Sequence, residues 1–359
     1  MYGAGPAGTP GTVPTAVRPR PAIGRAPSTS TTRVGALDAL RGLAIALMVF
    51  VNNPGDRDAM PAPFVHSPWH GYRLAELVFP LFLVSVGVSM ALSSRSPAAR
   101  LSLRRATLLF LIGCVLVSVK YQHPAPSTGT LQLIAGAYLL AWAARRWLSR
   151  RGQAVYVAVV LAALWIGFTI TGWAAGTNLA ARVDRLVLGA PSDLGVLGIV
   201  SASTLVLGGT WIGAALRLVP TPRARALLVA GAGGLATVVG LAAAAAIPLN
   251  KRLWTPSYVV LSFGLSCLVL AAFLWWDGRH LGRSGLELLE TLGTNALVAY
   301  VVTSLAATTV LLPVQDPVVD AFASVASRPI AAVAWAGAVL ALAYVVCRAL
   351  QRRRVFLRV

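Results

Sequence analysis

The chain has 359 residues, of which 57% are hydrophobic and 12% charged, with a mean hydropathy of +0.73. Soluble globular chains carry about 25% charged residues, so roughly half the usual charge is missing, and an ordinary water-soluble enzyme and a disordered chain are both excluded. The charge that remains is lopsided, 31 Lys+Arg against 11 Asp+Glu for a net +20, which points either to an anionic partner or to arginine-rich loops on one face of a polytopic membrane protein.

Residues 1–33 hold no acid, six prolines and Arg18, Arg20, Arg25 and Arg33. With no apolar run they read as a disordered basic tail and not as a signal peptide. From residue 35 the chain becomes a series of apolar segments near the length that crosses a bilayer core. Ten are expected: 35–51, 72–93, 104–120, 129–147, 153–175, 195–217, 224–247, 257–276, 291–312 and 329–349. The fold class is therefore all-α, a polytopic transmembrane helix bundle over 34–350, closed by a basic tail at 351–359. Lys120 and Lys251 are the two lysines; the arginine skew, with abundant Ala, suggests a GC-rich bacterial genome. Cys114, Cys267 and Cys347 sit in apolar runs and read as membrane-embedded hydrophobes.

The basic residues alternate between loops. Counting the loops on the side of the N-terminal tail, 22 Arg fall there and eight Arg or Lys on the other side, with Arg41 inside the first span. The positive-inside rule then places both termini in the cytoplasm of a multi-pass cell-membrane protein. It also removes nucleic acid as a partner, because the basic residues form no stripe interleaved with aromatics. The lipid bilayer is the expected surroundings, and a homodimer is compatible with the pattern.

Polar residues within apolar spans are costly and so informative. Asp38 and Arg41, three apart at the start of span one, can pair on one helix face. Asn52-Asn53-Pro54-Gly55 ends that span: Asn53 reads as a helix stop, while Asn52 is the better placed to point inward. His66-Ser67-Pro68-Trp69-His70-Gly71 precedes span two in a segment stiffened by Pro61 and Pro63, and a neutral imidazole there can take a proton near pH 7. Glu76 lies inside span two, followed by Pro80, which cannot donate to the carbonyl of Glu76. A kink beside a carboxylate argues for a lined cavity. Gln132, Asn178, Asn250, Lys251, Trp254 and Asn295 lie in or beside later spans, and each taken singly reads first as a cap, turn or packing residue.

Together these blocks resemble the heparan-α-glucosaminide N-acetyltransferase family of transmembrane acyltransferases. The likeness runs through Leu37 to Gly42, Asn52 to Gly55, His66 to Gly71, Leu77 to Pro80, Leu131-Gln132, Asn178 to Arg185, Asn250 to Tyr258 and Gly293 to Leu297. The resemblance implies a bundle of about ten helices that passes an acetyl group from cytosolic acetyl-CoA to an acceptor on the far side. It places the family's essential histidine on His66 and its active-site asparagine on Asn52. Three departures stand out: Glu76 where the family usually has Asp, Leu133 where an Arg commonly follows the Gln, and Ser201 in place of a proline.

On this reading His66 is a general base or a nucleophile forming acetyl-imidazole. Asn52 donates to the thioester oxygen, and Glu76 or Asp38 orients His66. Arg41, Trp69, Gln132, Asn250, Lys251, Trp254 and Asn295 are the residues from which substrate and CoA contacts are expected. Acetyl-CoA is the co-substrate, an amino sugar or other glycan or metabolite the acceptor, and no metal is called for. The rival reading is a proton-coupled transporter or exporter using Asp38, Arg41 and Glu76; no inverted counterpart of the Pro-interrupted Glu76 segment occurs in the second half.

Overall fold

The computed structural model describes residues 1–3, 5, 35–93, 99–122, 129–192, 194–277 and 283–356. Met1–Arg33 and Val34–Val359 are separate units. Most of the expected tail at 1–33, and residues 357–359 of the expected C-terminal tail, lie outside the described residues. Among those described there are thirteen α-helices and no strand.

In chain order these are α1 (Gly35–Asn52), α2 (Leu74–Leu92), α3 (Ala99–Tyr121), α4 (Thr130–Trp147), α5 (Arg150–Thr171), α6 (Leu179–Leu188), α7 (Val196–Leu218), α8 (Pro222–Ala244), α9 (Pro256–Asp277), α10 (Arg283–Thr294), α11 (Ala296–Thr308), α12 (Leu312–Ala323) and α13 (Arg328–Arg352), with one 3-10 turn at Ala62–Phe64. The helix starts have local causes. Ser149 accepts from Gly152 N at 3.2 Å ahead of α5, Asn178 from Ala181 N at 3.0 Å ahead of α6, and Thr221 from Ala224 N at 3.2 Å ahead of α8. Each closes one of the open donors of a first turn, and Asn178 is thus a cap.

Eight of the helices are long and apolar enough to cross a membrane, and the bent pair α10–α11 makes a ninth. The remaining expected span, α4, has 18 residues but carries Gln132, Arg145 and Arg146. The segment expected to cross unbroken at 291–312 is instead broken by a 79° bend between Thr294 and Ala296. Two helices arise where loops were expected: α6, of 10 residues, and α12, of 12.

Helices α1, α2 and α7 are mostly buried, whereas few residues of α3, α5 and α8 are. The exposed faces are apolar: Leu108, Phe110, Leu111 and Val115 on α3, Val155, Trp165 and Ile170 on α5, Leu235 and Val238 on α8. Such surfaces suit hydrocarbon and not water. The centre is held by backbone approach. A methyl group added at Gly87 of α2 would collide with the carbonyl of Val206 on α7, and one at Gly209 of α7 with that of Val84. A second such contact sets Gly42 of α1 against Leu289, and Gly293 against the carbonyl of Asp38. Small residues at these positions let two helices close until their backbones touch.

The two faces of the bundle sort as the alternating loops require. The end of α1, the start of α2, the end of α3, the start of α4, the loop before α9 and the end of α11 line a common cavity. At the opposite end Arg41 reaches Ser89 near the end of α2, and Arg217 at the end of α7 donates to the carbonyl of Ser93 at 2.8 Å.

Candidate active site

The cavity occupies about 700 Å³ and brings Asn52, His66, Trp69, Glu76 and Lys251 to one wall system. Its organising residue is Glu76. The side chain is almost fully buried, 2% exposed, and sits in the first turn of α2, where open backbone donors favour a negative charge. One oxygen, Oε2, accepts from Arg73 N at 2.7 Å, the return half of a capping box. The other, Oε1, accepts from Ser67 N at 3.0 Å and lies 3.0 Å from His66 Nδ1. A carboxylate can only accept, so His66 carries its proton on Nδ1 and presents Nε2 as a lone pair.

Pro80 has its expected effect on the carbonyl of Glu76. That oxygen has lost its helical donor, and the phenol of Tyr258 on α9 donates to it instead, at 2.8 Å. Tyr258 in turn packs edge-on to Trp254, with ring centroids 5.6 Å apart. The proline turn of α2 is thereby keyed to α9.

That segment supplies the cation. Lys251 Nζ lies against the His66 imidazole, 3.2 Å from Nε2 and 3.4 Å from Nδ1. Burial brings its amine down to about 8, against an upward pull from the Glu76 carboxylate and a further lowering by Arg252. The loop is fixed from several sides. Asn250 Oδ1 accepts from Leu253 N at 3.0 Å, and its Nδ2 lies 3.3 Å from His70 Nδ1. Gly71 N donates to Leu249 O at 2.9 Å. Trp254 closes the turn at φ 53°, a left-handed conformation unusual for a large side chain.

The other expected site residues fall as follows. Asn52, at the last turn of α1, is open to the cavity, whereas Asn53 turns back and donates to the carbonyl of Val49 at 2.6 Å, acting as the stop. Trp69 lines the cavity; its indole donates to Trp173 O at 2.9 Å, and the Arg252 guanidinium stands 5.9 Å above its ring. Trp254 is fully buried, and its carbonyl accepts from Ser201 Oγ at 2.9 Å, which gives that serine a structural role. Gln132 is buried on α4, its amide 3.9 Å from Cys114 Sγ. Asn295 is buried at the α10–α11 bend and reaches Val355 O at 3.4 Å.

Asp38 and Arg41 form their ion pair, at 2.9 Å, but fourteen and eleven residues before Asn52, about 21 and 17 Å along α1. The structure does not bring Asp38 to His66; Glu76 takes that place. Arg57, Lys120, Tyr300, Ser304 and Thr308 also line the cavity and were not anticipated. Each is ordinary in its own segment, and a regularly spaced polar edge on α11 was the one available signal.

Residues 33–191 match the model of a family described as heparan-alpha-glucosaminide N-acetyltransferase, catalytic. The resemblance carried by the residue blocks is thereby shown for the first half of the chain, from α1 through α6. Two heparan-alpha-glucosaminide N-acetyltransferases are similar over a shorter stretch. That of Mus musculus is 39% identical over 101 residues, 26% of this chain and 15% of the mouse protein. That of Homo sapiens is 36% identical over 98 residues, 25% of this chain and 14% of the human protein. The chain thus matches only a small part of the length of these relatives. Asn52, His66 and Glu76 lie inside the family match, while Lys251 and Tyr258 complete the site from outside it.

Proposed function

We propose that this chain is a membrane acyltransferase that takes an acetyl group from cytosolic acetyl-CoA. The acceptor is an amine or hydroxyl, of an amino sugar or another glycan or metabolite, presented from the opposite side. The observation that carries the reading is the placement of His66: its Nδ1 lies 3.0 Å from the buried Glu76 carboxylate, and the residue lines a cavity shared with Asn52.

A histidine held this way takes a proton from the acceptor as it attacks, or attacks the thioester itself. Glu76 keeps the ring oriented and offsets the imidazolium that forms. Asn52 offers its amide to the thioester oxygen as negative charge develops, a role that contributes about 3–4 kcal/mol in sites of this kind. The CoA phosphates need cations, which Arg41 and the loop arginines on the face of Asp38 and Arg41 supply.

The test is turnover of labelled acetyl-CoA with glucosamine in proteoliposomes. His66→Ala is expected to lower the rate by about a hundredfold or more, and Asn52→Ala by a comparable factor with CoA binding retained. Wild-type turnover in His66→Ala overturns the assignment. Purification in mild detergent should retain CoA, and solute flux that needs no acetyl-CoA would mark a transporter instead.

A further inference from the structure

We propose that Lys251 is a self-acetylation site: when no acceptor is present its Nζ takes the acetyl group, and the modified side chain blocks the cavity. This rests on the acetyl-transfer reading above. A general base must find the nucleophile's proton within hydrogen-bond reach, and Lys251 Nζ is 3.2 Å from His66 Nε2. The chain's own primary amine therefore occupies, relative to the base, the position an acceptor amine must take.

The arrangement is built. The loop that carries Lys251 is tied to the His66–Gly71 segment through Leu249 and Asn250, so the amine and the imidazole are held by one hydrogen-bonded unit. Lys251 and Asn52 line the same cavity, which puts the expected oxyanion donor within the space that the amine shares. Burial favours the neutral, nucleophilic amine. The charged groups around it are Glu76 and Arg252, with Arg57 and Lys120 elsewhere on the cavity wall.

The step balances without another reactant. The neutral Lys251 Nζ attacks the thioester carbonyl. As the C–N bond forms His66 Nε2 takes the amine proton, and the C–S bond breaks. The CoA thiolate leaves, taking the proton held on His66. The product is an amide: it has lost the charge and the nucleophilic lone pair, and it fills the space beside Nε2. An acceptor competes by displacing Lys251 from His66 before transfer.

The two lysines of the chain make the experiment direct. Lys120 lines the same cavity, with its Nζ 5.4 Å from the centroid of the Tyr121 ring, and serves as the internal control. Purified full-length protein is incubated with acetyl-CoA, with and without glucosamine, and peptides are read by mass spectrometry. The expected result is one acetyl group on Lys251 and not on Lys120, suppressed by glucosamine and slowed about a hundredfold in His66→Gln. Preincubation with acetyl-CoA should also erode the later turnover of wild type while leaving Lys251→Arg at its own starting rate. Equal acetylation of both lysines, or an unchanged rate in folded His66→Gln, means chemical acetylation only and overturns the proposal. An unmodified Lys251 in protein that acetylates glucosamine overturns it alone. An unmodified Lys251 in protein that neither binds CoA nor acetylates glucosamine overturns the acetyl-transfer reading as well.

Discussion

Glu76 serves two structures at once: it caps the first turn of α2 and it fixes the tautomer of His66. Glu76→Gln keeps the shape but replaces one acceptor oxygen with a donor, which must face either Arg73 N or the Ser67 and His66 donors. The expected result is a loss of about 1–3 kcal/mol in stability together with a large fall in turnover. Glu76→Asp, which keeps the charge on a shorter arm, should fall between the two. Wild-type rates in Glu76→Gln would show that His66 needs no orienting partner. Lys251 gives the pH dependence. Its amine is held down to about 8 by burial, so it is a non-nucleophilic ammonium below that pH and a free amine above. Acetylation of Lys251 should therefore rise as pH is raised through about 8 and then level off, as followed by mass spectrometry over time. Asn52 and Glu76 were legible in the sequence as polar residues at or within an apolar span, and His66 from the proline-stiffened segment that precedes span two. The contact of Lys251 with His66 was not, because it joins residues 185 positions apart, and no local pattern encodes a meeting of two loops. Asp38 was as conspicuous in sequence as Glu76, and the packing shows that Glu76 is the carboxylate in contact with the imidazole.

Among the elements, the proline turn of α2 and the start of α9 form one device. Pro80 removes a donor from the carbonyl of Glu76, and Tyr258 replaces it. Tyr258→Phe should leave that carbonyl unmet and cost about 1–3 kcal/mol. Pro80→Ala restores a backbone N–H that can serve the same oxygen. The double variant should accordingly be more stable than the sum of the single changes predicts, a coupling that thermal unfolding in detergent can measure. Strict additivity would show that the phenol and the proline act independently. The vacated carbonyl was legible from Glu76 and Pro80 alone; its new partner was not. Most helix ends follow the apolar runs to within a few residues, because the bilayer sets their length. The break at Asn295 was hidden, since a polar residue near the start of a span reads equally well as a cap, and hydropathy says nothing about direction. Helices α6 and α12 were missed because they are too short to register as spans.

For the molecule as a whole, the alternation of basic loops separates two faces, and the structure gathers Asn52, His66, Lys251 and the end of α11 on one of them. The proposed orientation makes that face extracytoplasmic. Single cysteines at the exposed positions Asp58 and Arg353 test it. A membrane-impermeant thiol reagent on intact cells should label Asp58→Cys and spare Arg353→Cys, with the reverse in inverted vesicles. The opposite pattern would place the cavity in the cytoplasm. The native Cys267 and Cys347 are buried and should contribute little background.

The glycine contacts between α2 and α7 bear on how such a molecule can move. A carrier that rocks must part its halves in every cycle, and here the parting line would run where backbone lies directly on backbone at Gly87 and Gly209. The pair acts as a keel, and Glu76 is mounted on it. The reach from carboxylate to imidazole is thus set by the stiffest part of the frame. On the acyl-transfer reading, what travels is a small fragment handed between fixed groups while the helices stay still.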